Sequence, residues 1–261
     1  MVKSIRLWYY YFKDNFHKGE DRMQKYHELM HLLTELGASF TGYSDVSGKT
    51  ADGFMNLHYA VTIGMRLSDA TIDEITDKPT FTYFHHYRTV NAALDQIALR
   101  GAMFIQQCGY DAVAVPASQT VNDASGPYMG IFPHKTAAVM AGLGSIGRNG
   151  LFLHKEFGPR VRLATILTNM EAGEQYICFP DREEADGQSP CVGCDLCVKA
   201  CPAMALTGRD WHYGMAREEI VDAKACSDYM NSKFKHIGRG SVCGICIKVC
   251  PARIRHNILN R

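Results

Sequence analysis

The sequence predicts an α+β protein in two parts, a larger one of mixed strands and helices and a small cysteine-rich one after it. Three observations predict this. Short β-branched runs alternate with helical periodicity up to about residue 175. An acidic stretch that turns small and ends in proline follows at 181–190. Nine of the ten cysteines lie beyond residue 177, and eight of these fall between 191 and 250. The parts are therefore expected at 1–180 and 181–261. A cysteine-rich part of this size has little apolar core of its own, so it is expected to pack on the first.

Each element has its own signal. Residues 22–36 place Met23, Tyr26, Leu29, Met30, Leu33 and Leu36 on one helical face, and Gly37 stands where a helix would stop. Residues 57–63, 112–115 and 161–168 read as strands. A long helix is expected over 82–108, with Val90, Leu94, Ile97, Gly101, Ile105 and Cys108 as its apolar stripe and Gly109 as its end. Cys108 is thus expected to be a buried core thiol. A short helix over 134–141 runs into the glycine-rich segment from Gly142 to Gly150.

Composition excludes some partners. Lys plus Arg is 28 and Asp plus Glu is 27, a formal net charge of +1, which leaves no strong electrostatic footprint for nucleic acid or an anionic membrane. No apolar run reaches the length of a membrane span. The N-terminus has no apolar signal region, small-residue cleavage site or Arg-Arg pair, so a cytoplasmic location is expected. Ten cysteines in such a chain point to metal or redox chemistry rather than disulfides.

The cysteine spacing is specific. Cys191, Cys194, Cys197 and Cys201-Pro202 follow the C-x2-C-x2-C-x3-C-P run of bacterial ferredoxins. Three closely spaced thiolates wrap three irons of one 4Fe–4S cubane, and the next helix carries the fourth thiolate toward a second cluster. A second copy, Cys243, Cys246 and Cys250-Pro251, is one thiolate short, with Gly240 at the position matching Cys191. Cys226 is the available replacement. Cluster one then takes Cys191, Cys194, Cys197 and Cys250, and cluster two takes Cys201, Cys226, Cys243 and Cys246. Cys178 stands outside both runs, as a core or linker thiol. Two structural zinc sites of four cysteines each are the alternative; the crossed run and its two prolines favour iron–sulfur clusters.

Gly142-x-Gly144-x-x-Gly147 matches the dinucleotide-binding pattern, but its context does not. A helix precedes it where a strand is required, and Gly150, Gly158 and Pro159 interrupt any helix after it. Two readings stay open, a plain chain reversal and a backbone loop that approaches a large ligand.

AGLGSIGRNGLF, followed by a strand and then by eight cysteines with a lone one ahead of C-G-x-C, resembles the epoxyqueuosine reductase family and the related reductive dehalogenases. The likeness is best over 134–251 and weaker over 57–115. It implies a nitroreductase-like α/β cobalamin-binding domain joined to a ferredoxin-like domain with two 4Fe–4S clusters. The clusters would pass electrons from a low-potential donor, such as a ferredoxin or flavodoxin, to a corrinoid that reduces a small molecule or a modified nucleoside. On this likeness Ala141, Gly142, Leu143, Gly144, Ser145, Gly147, Arg148 and Asn149 line the corrinoid.

The departures from the family shape the remaining expectations. Its proton-donating aspartate has no counterpart in Phe132-Pro133-His134-Lys135-Thr136. His134 becomes the candidate general acid, helped by Lys135 or by Tyr87, because imidazole titrates near neutral pH. Tyr87 closes His85-His86-Tyr87, which corresponds to the family's Asp-Tyr-His element. The family's helical-repeat tail, which assists tRNA binding, has no counterpart, and with the near-neutral charge this counts against tRNA as the substrate. The expected activity is an iron–sulfur, cobalamin-dependent oxidoreductase. The alternative is a non-catalytic protein that carries electrons or handles cobalamin.

Overall fold

The structure is a computed structural model, described for residues 23–48, 54, 56–119, 121, 128–173, 189–238 and 242–252. Its centre is a four-stranded antiparallel sheet in the order β1-β2-β6-β3, formed by β1 (Phe40–Asp45), β2 (Tyr59–Arg66), β6 (Val161–Thr168) and β3 (Ala112–Val115). Both faces are covered, and β6 is almost continuously buried. Side chains alternate along a strand, so β2 and β6 divide their residues between two layers. Val61, Ile63, Ala164 and Ile166 pack with the long helix α3 (Phe81–Gln107) on one face. Ala60 and Leu167 pack with Ala137 of α4 (His134–Met140) on the other.

Several expectations meet the structure closely. Strands 112–115 and 161–168 have the expected bounds, and the expected 57–63 strand runs instead over Tyr59–Arg66. Helix α1 covers 23–35, and α3 lies one residue ahead of its expected span. Gly37 and Gly109 follow these helices with φ of +106° and +87°, a conformation glycine adopts without steric cost. Thr80 starts α3 by accepting the Tyr83 amide at 3.0 Å. Cys108 departs from its expectation. It sits at the C-cap of α3 and is half-buried, because the helix ends before that turn can roll fully into the core.

The glycine-rich segment is a hairpin. Strand β4 (Gly144–Ile146) pairs antiparallel with β5 (Phe152–His154), and the chain turns between them. The dinucleotide-binding context is thus absent in space as well, since α4 leads into a strand and not out of one. A Cβ on Gly144 would lie 2.1 Å from the Leu153 carbonyl oxygen, so only glycine lets the two strands close. The remaining short helix of this part is α2 (Asp69–Asp73).

The cysteine-rich part carries α5 (Leu196–Ala200), α6 (Ala223–Lys233), α7 (Lys235–Gly238) and α8 (Ile245–Lys248). It shares the core of the first part, since Val242, Ile245 and Ile247 join the cluster that holds α3. Trp211 packs on the cluster formed by Ile146, Phe152 and Val161. Charges add a second tie: Asp73 accepts both Arg160 at 2.8 Å and Lys248 at 2.9 Å. These two cations hold the Asp73 carboxyl down to about 2. The expected boundary at 180/181, most of the 181–190 stretch and Cys178 lie outside the described residues.

Candidate functional site

The cysteines gather in two sets. Cys191, Cys194 and Cys197 from the first run and Cys250 from the second line one cavity, closed by Pro190, Pro251, Ala252 and Asn149. The two runs therefore cross in space. Cys226 lies close enough to Cys201, and Cys243 to both Cys226 and Cys201, for the neighbouring sulfurs to raise the Cys226 and Cys243 thiols. Cys246 feels Cys243 and Cys226 before Cys197 and Cys201. Burial is the largest cause in each case, and it pushes Cys243 and Cys250 up to about 11. Such thiols stay protonated until a metal takes them, so loading releases protons. Among the described residues, no three His, Cys, Asp or Glu side chains converge on a position for one metal ion. A set of four cysteines around an open space fits a cubane.

The glycine hairpin abuts the first cysteine set. The Arg148 backbone N–H donates to Cys191 Sγ at 3.5 Å, and its guanidinium donates to the Cys194 carbonyl and to Asp210. Asn149 is buried, lines the cysteine cavity and accepts the Leu151 amide. Arg148 and Asn149, both expected to line the corrinoid, are thus engaged with the cysteine side. Gly144 and Gly147 pack against Leu153, and Leu143 joins an apolar cluster. Ala141 caps α4. Gly142 donates its N–H to the Val139 carbonyl at the end of α4, and Ser145 pairs with Leu153 in the hairpin.

The three candidate acids are not brought together. His134 lies on the α4 face, where Nε2 meets the Pro116 carbonyl at 2.9 Å and Nδ1 meets Thr165 Oγ1 at 2.7 Å. The Pro116 carbonyl can only accept, so that contact calls for a proton on Nε2 with Thr165 donating to Nδ1, while the Gln119 side-chain nitrogen lies 3.2 Å from the same Nε2. Burial pushes the imidazole down to about 4, against the upward pull of the Pro116 carbonyl. Burial thus favours a neutral His134 near pH 7, with both ring nitrogens engaged in hydrogen bonds. Lys135 donates to the Gly150 carbonyl at 2.6 Å and so clamps the hairpin turn; burial lowers it to about 8.

Tyr87 has a different setting. It stands on the α3 face, and Arg162 of β6 covers it with its guanidinium carbon 4.5 Å from the ring centroid. Arg162 also donates to the Tyr87 hydroxyl at 3.3 Å, the Ala117 carbonyl at 3.2 Å and Asn91 Oδ1 at 2.8 Å. Burial alone would raise the phenol's pKa, but Arg162, Ser118 and Asn91 outweigh it and lower it. Asp95, one turn beyond Asn91, accepts the Ala117 amide at 2.8 Å and fixes the 116–118 segment. His86 instead accepts the Ser68 amide, a structural contact, and His85 is exposed. Arg162, Asn91 and Asp95 escaped sequence reasoning. A lone arginine in the apolar strand VRLATILT was the available signal.

Comparison with known proteins agrees with this geometry. Residues 190–253 match the 4Fe-4S double cluster binding domain, so the chain carries a double-cluster module. A tetrachloroethene reductive dehalogenase of Desulfitobacterium hafniense is 30% identical over 168 residues, 59% of this chain and 26% of the relative. An epoxyqueuosine reductase of Lactococcus garvieae is 30% identical over 125 residues, 44% of this chain and 30% of the relative. The chain thus spans about a quarter to a third of the length of these curated relatives. Among solved structures, a reductive dehalogenase described with a mechanism for B12-dependent dehalogenation superposes with a TM-score of 0.67 at 21% identity, over 87% of this chain and 32% of the other. An epoxyqueuosine reductase bound to a tRNA-Tyr stem loop superposes with a TM-score of 0.56 at 16% identity, over 89% of this chain and 66% of the other. These two likenesses establish a shared mixed helix and sheet fold. No helix among the described residues is long and apolar enough to cross a membrane.

Proposed function

We propose that this protein is an iron–sulfur reductase that passes single electrons through two 4Fe–4S clusters to a reducible centre bound by its α/β part. The observation that carries the reading is the cavity shared by Cys191, Cys194, Cys197 and Cys250. It draws ligands from both runs, as a two-cluster ferredoxin module requires and two independent zinc knuckles do not. The α/β part is nitroreductase-like on this reading, and the parts divide near residue 180. A corrinoid is the proposed acceptor, supported by the likeness to reductive dehalogenases and epoxyqueuosine reductases. It would supply a low-valent metal able to reduce a bound substrate.

The chain's own residues would handle the proton. Electrons added alone leave an unstable anion, so an acid must stand near the substrate. Tyr87 suits this role better than His134 or Lys135. Arg162 stabilises the phenolate left after transfer, while Asn91 and the Ala117 carbonyl hold the guanidinium in place. His134 and Thr165 brace the 116–118 segment from the opposite face of the sheet.

The substrate class follows the relatives. One structural neighbour is solved with 3-bromo-4-hydroxybenzoic acid and another with a tRNA stem loop. The formal net charge of +1 favours a small molecule over nucleic acid here. Calorimetry with cobalamin on anaerobically purified protein tests the acceptor. Binding near one per chain is expected, and tight flavin or nicotinamide binding without cobalamin uptake would replace it.

A further inference from the structure

Around Cys191 the hydrogen bonds close into a ring. The Cys191 amide donates to Ser189 Oγ at 3.2 Å, and Ser189 donates to Asp210 Oδ1 at 2.7 Å. Asp210 accepts the Arg148 guanidinium through both oxygens, at 2.9 and 2.8 Å. The Arg148 backbone N–H then returns to Cys191 Sγ at 3.5 Å. One more guanidinium nitrogen donates to the Cys194 carbonyl at 3.1 Å. The pair is partly buried, with side-chain exposures of 20% for Arg148 and 31% for Asp210, so water screens it incompletely. The planar fork and its two-oxygen partner fix the charge in direction as well as in place.

We infer that the Arg148–Asp210 pair sets the reduction potential of cluster one, with Arg148 raising it and Asp210 restraining that rise. Reduction adds one negative charge to a cluster that four thiolates already make anionic. Hydrogen bonds to the sulfurs and nearby net charge are the levers a protein has on that step. Arg148 supplies both, an N–H to the sulfur and a cation beside Cys191 and Cys194. Asp210 offsets the cation and orients it. Because Arg148 lies in the glycine hairpin of the α/β part and Asp210 in the cysteine-rich part, the cluster's potential depends on how the two parts dock.

This inference rests on the assignment of Cys191 to a cluster. The test is an anaerobic potentiometric titration of the full chain, followed by electron paramagnetic resonance, with iron and sulfide measured on the same samples. Arg148→Gln should move one of the two one-electron waves to more negative potential. The expected shift is about tenfold in the reduced-to-oxidised ratio, or about 59 mV. Asp210→Asn should move the same wave the other way, and Arg148→Lys should fall between wild type and Arg148→Gln. Full iron with both waves unmoved would overturn this inference and leave the clusters standing. Shifts of the same sign in Arg148→Gln and Asp210→Asn would also overturn it, as would loss of iron in the charge-conserving Arg148→Lys. Absence of acid-labile sulfide in the parent chain would instead remove the cluster assignment itself.

Discussion

The Arg162 guanidinium covers the Tyr87 ring at 4.5 Å and donates to its hydroxyl at 3.3 Å. This pairing separates Tyr87 from the other candidate acids, and it yields a direct test. Once a substrate is available, Tyr87→Phe should slow turnover by about 10²–10⁴-fold, the usual contribution of a general acid. Iron content and corrinoid binding should stay at their parent levels. Single-turnover rates under saturating reductant measure this, and an undiminished rate would remove Tyr87 from the reaction.

His134 is expected to behave as a bracing residue. Its pKa of about 4 leaves it neutral across pH 5–8, so it adds no inflection to the rate profile in that window. His134→Ala abandons Thr165 and the Pro116 carbonyl and should cost about 1–3 kcal/mol of stability. Denaturant titration measures the cost, and comparison of pH–rate profiles measures the charge. An inflection near neutral pH that vanishes in the variant would restore His134 as the acid.

The sequence carried the framework further than the acid chemistry. Strands 112–115 and 161–168 were legible because β-branched runs bounded by turn residues have few alternatives. The meeting of Cys191, Cys194 and Cys197 with Cys250 around one cavity was legible because ligand spacing is imposed by a rigid inorganic core. β1, FTGYSD, was not, because its glycine and polar residues weaken the strand signal and its place in the sheet comes from pairing with β2. The partners of Tyr87 were also hidden. Asn91, Ala117 and Arg162 meet only after α3 packs on β6, a contact between distant parts of the chain with no local signature. Burial of His134, which decides its protonation, is likewise a property of the packed molecule.

Lys135 gives a prediction with a definite sign. Its folded pKa of about 8 lies below the ordinary lysine value of about 10.4, so between those limits the unfolded chain binds more protons. Its contribution to stability therefore rises with pH from about 8 upward. Relative to Lys135→Met, the parent protein should gain stability as pH goes from 8 to 9.5. Denaturant midpoints across that range measure the difference, and a constant difference would contradict the buried, clamped lysine.

Gly144 tests the hairpin. A methyl group there would collide with the Leu153 carbonyl, so Gly144→Ala should cost about 1–3 kcal/mol and loosen the turn that carries Arg148 and Asn149. Thermal unfolding is the measurement. A melting point equal to the parent's would mean that β4 and β5 do not close as described.

The central claim is the double cluster with crossed ligands, and metal analysis of anaerobically purified protein tests it most directly. Two cubanes require about eight irons and eight acid-labile sulfides per chain. Cys226→Ala should lose about half of that iron, while Cys108→Ala, at the distant C-cap of α3, should keep all of it. Stoichiometric zinc with negligible sulfide, or full iron in Cys226→Ala, would contradict the claim.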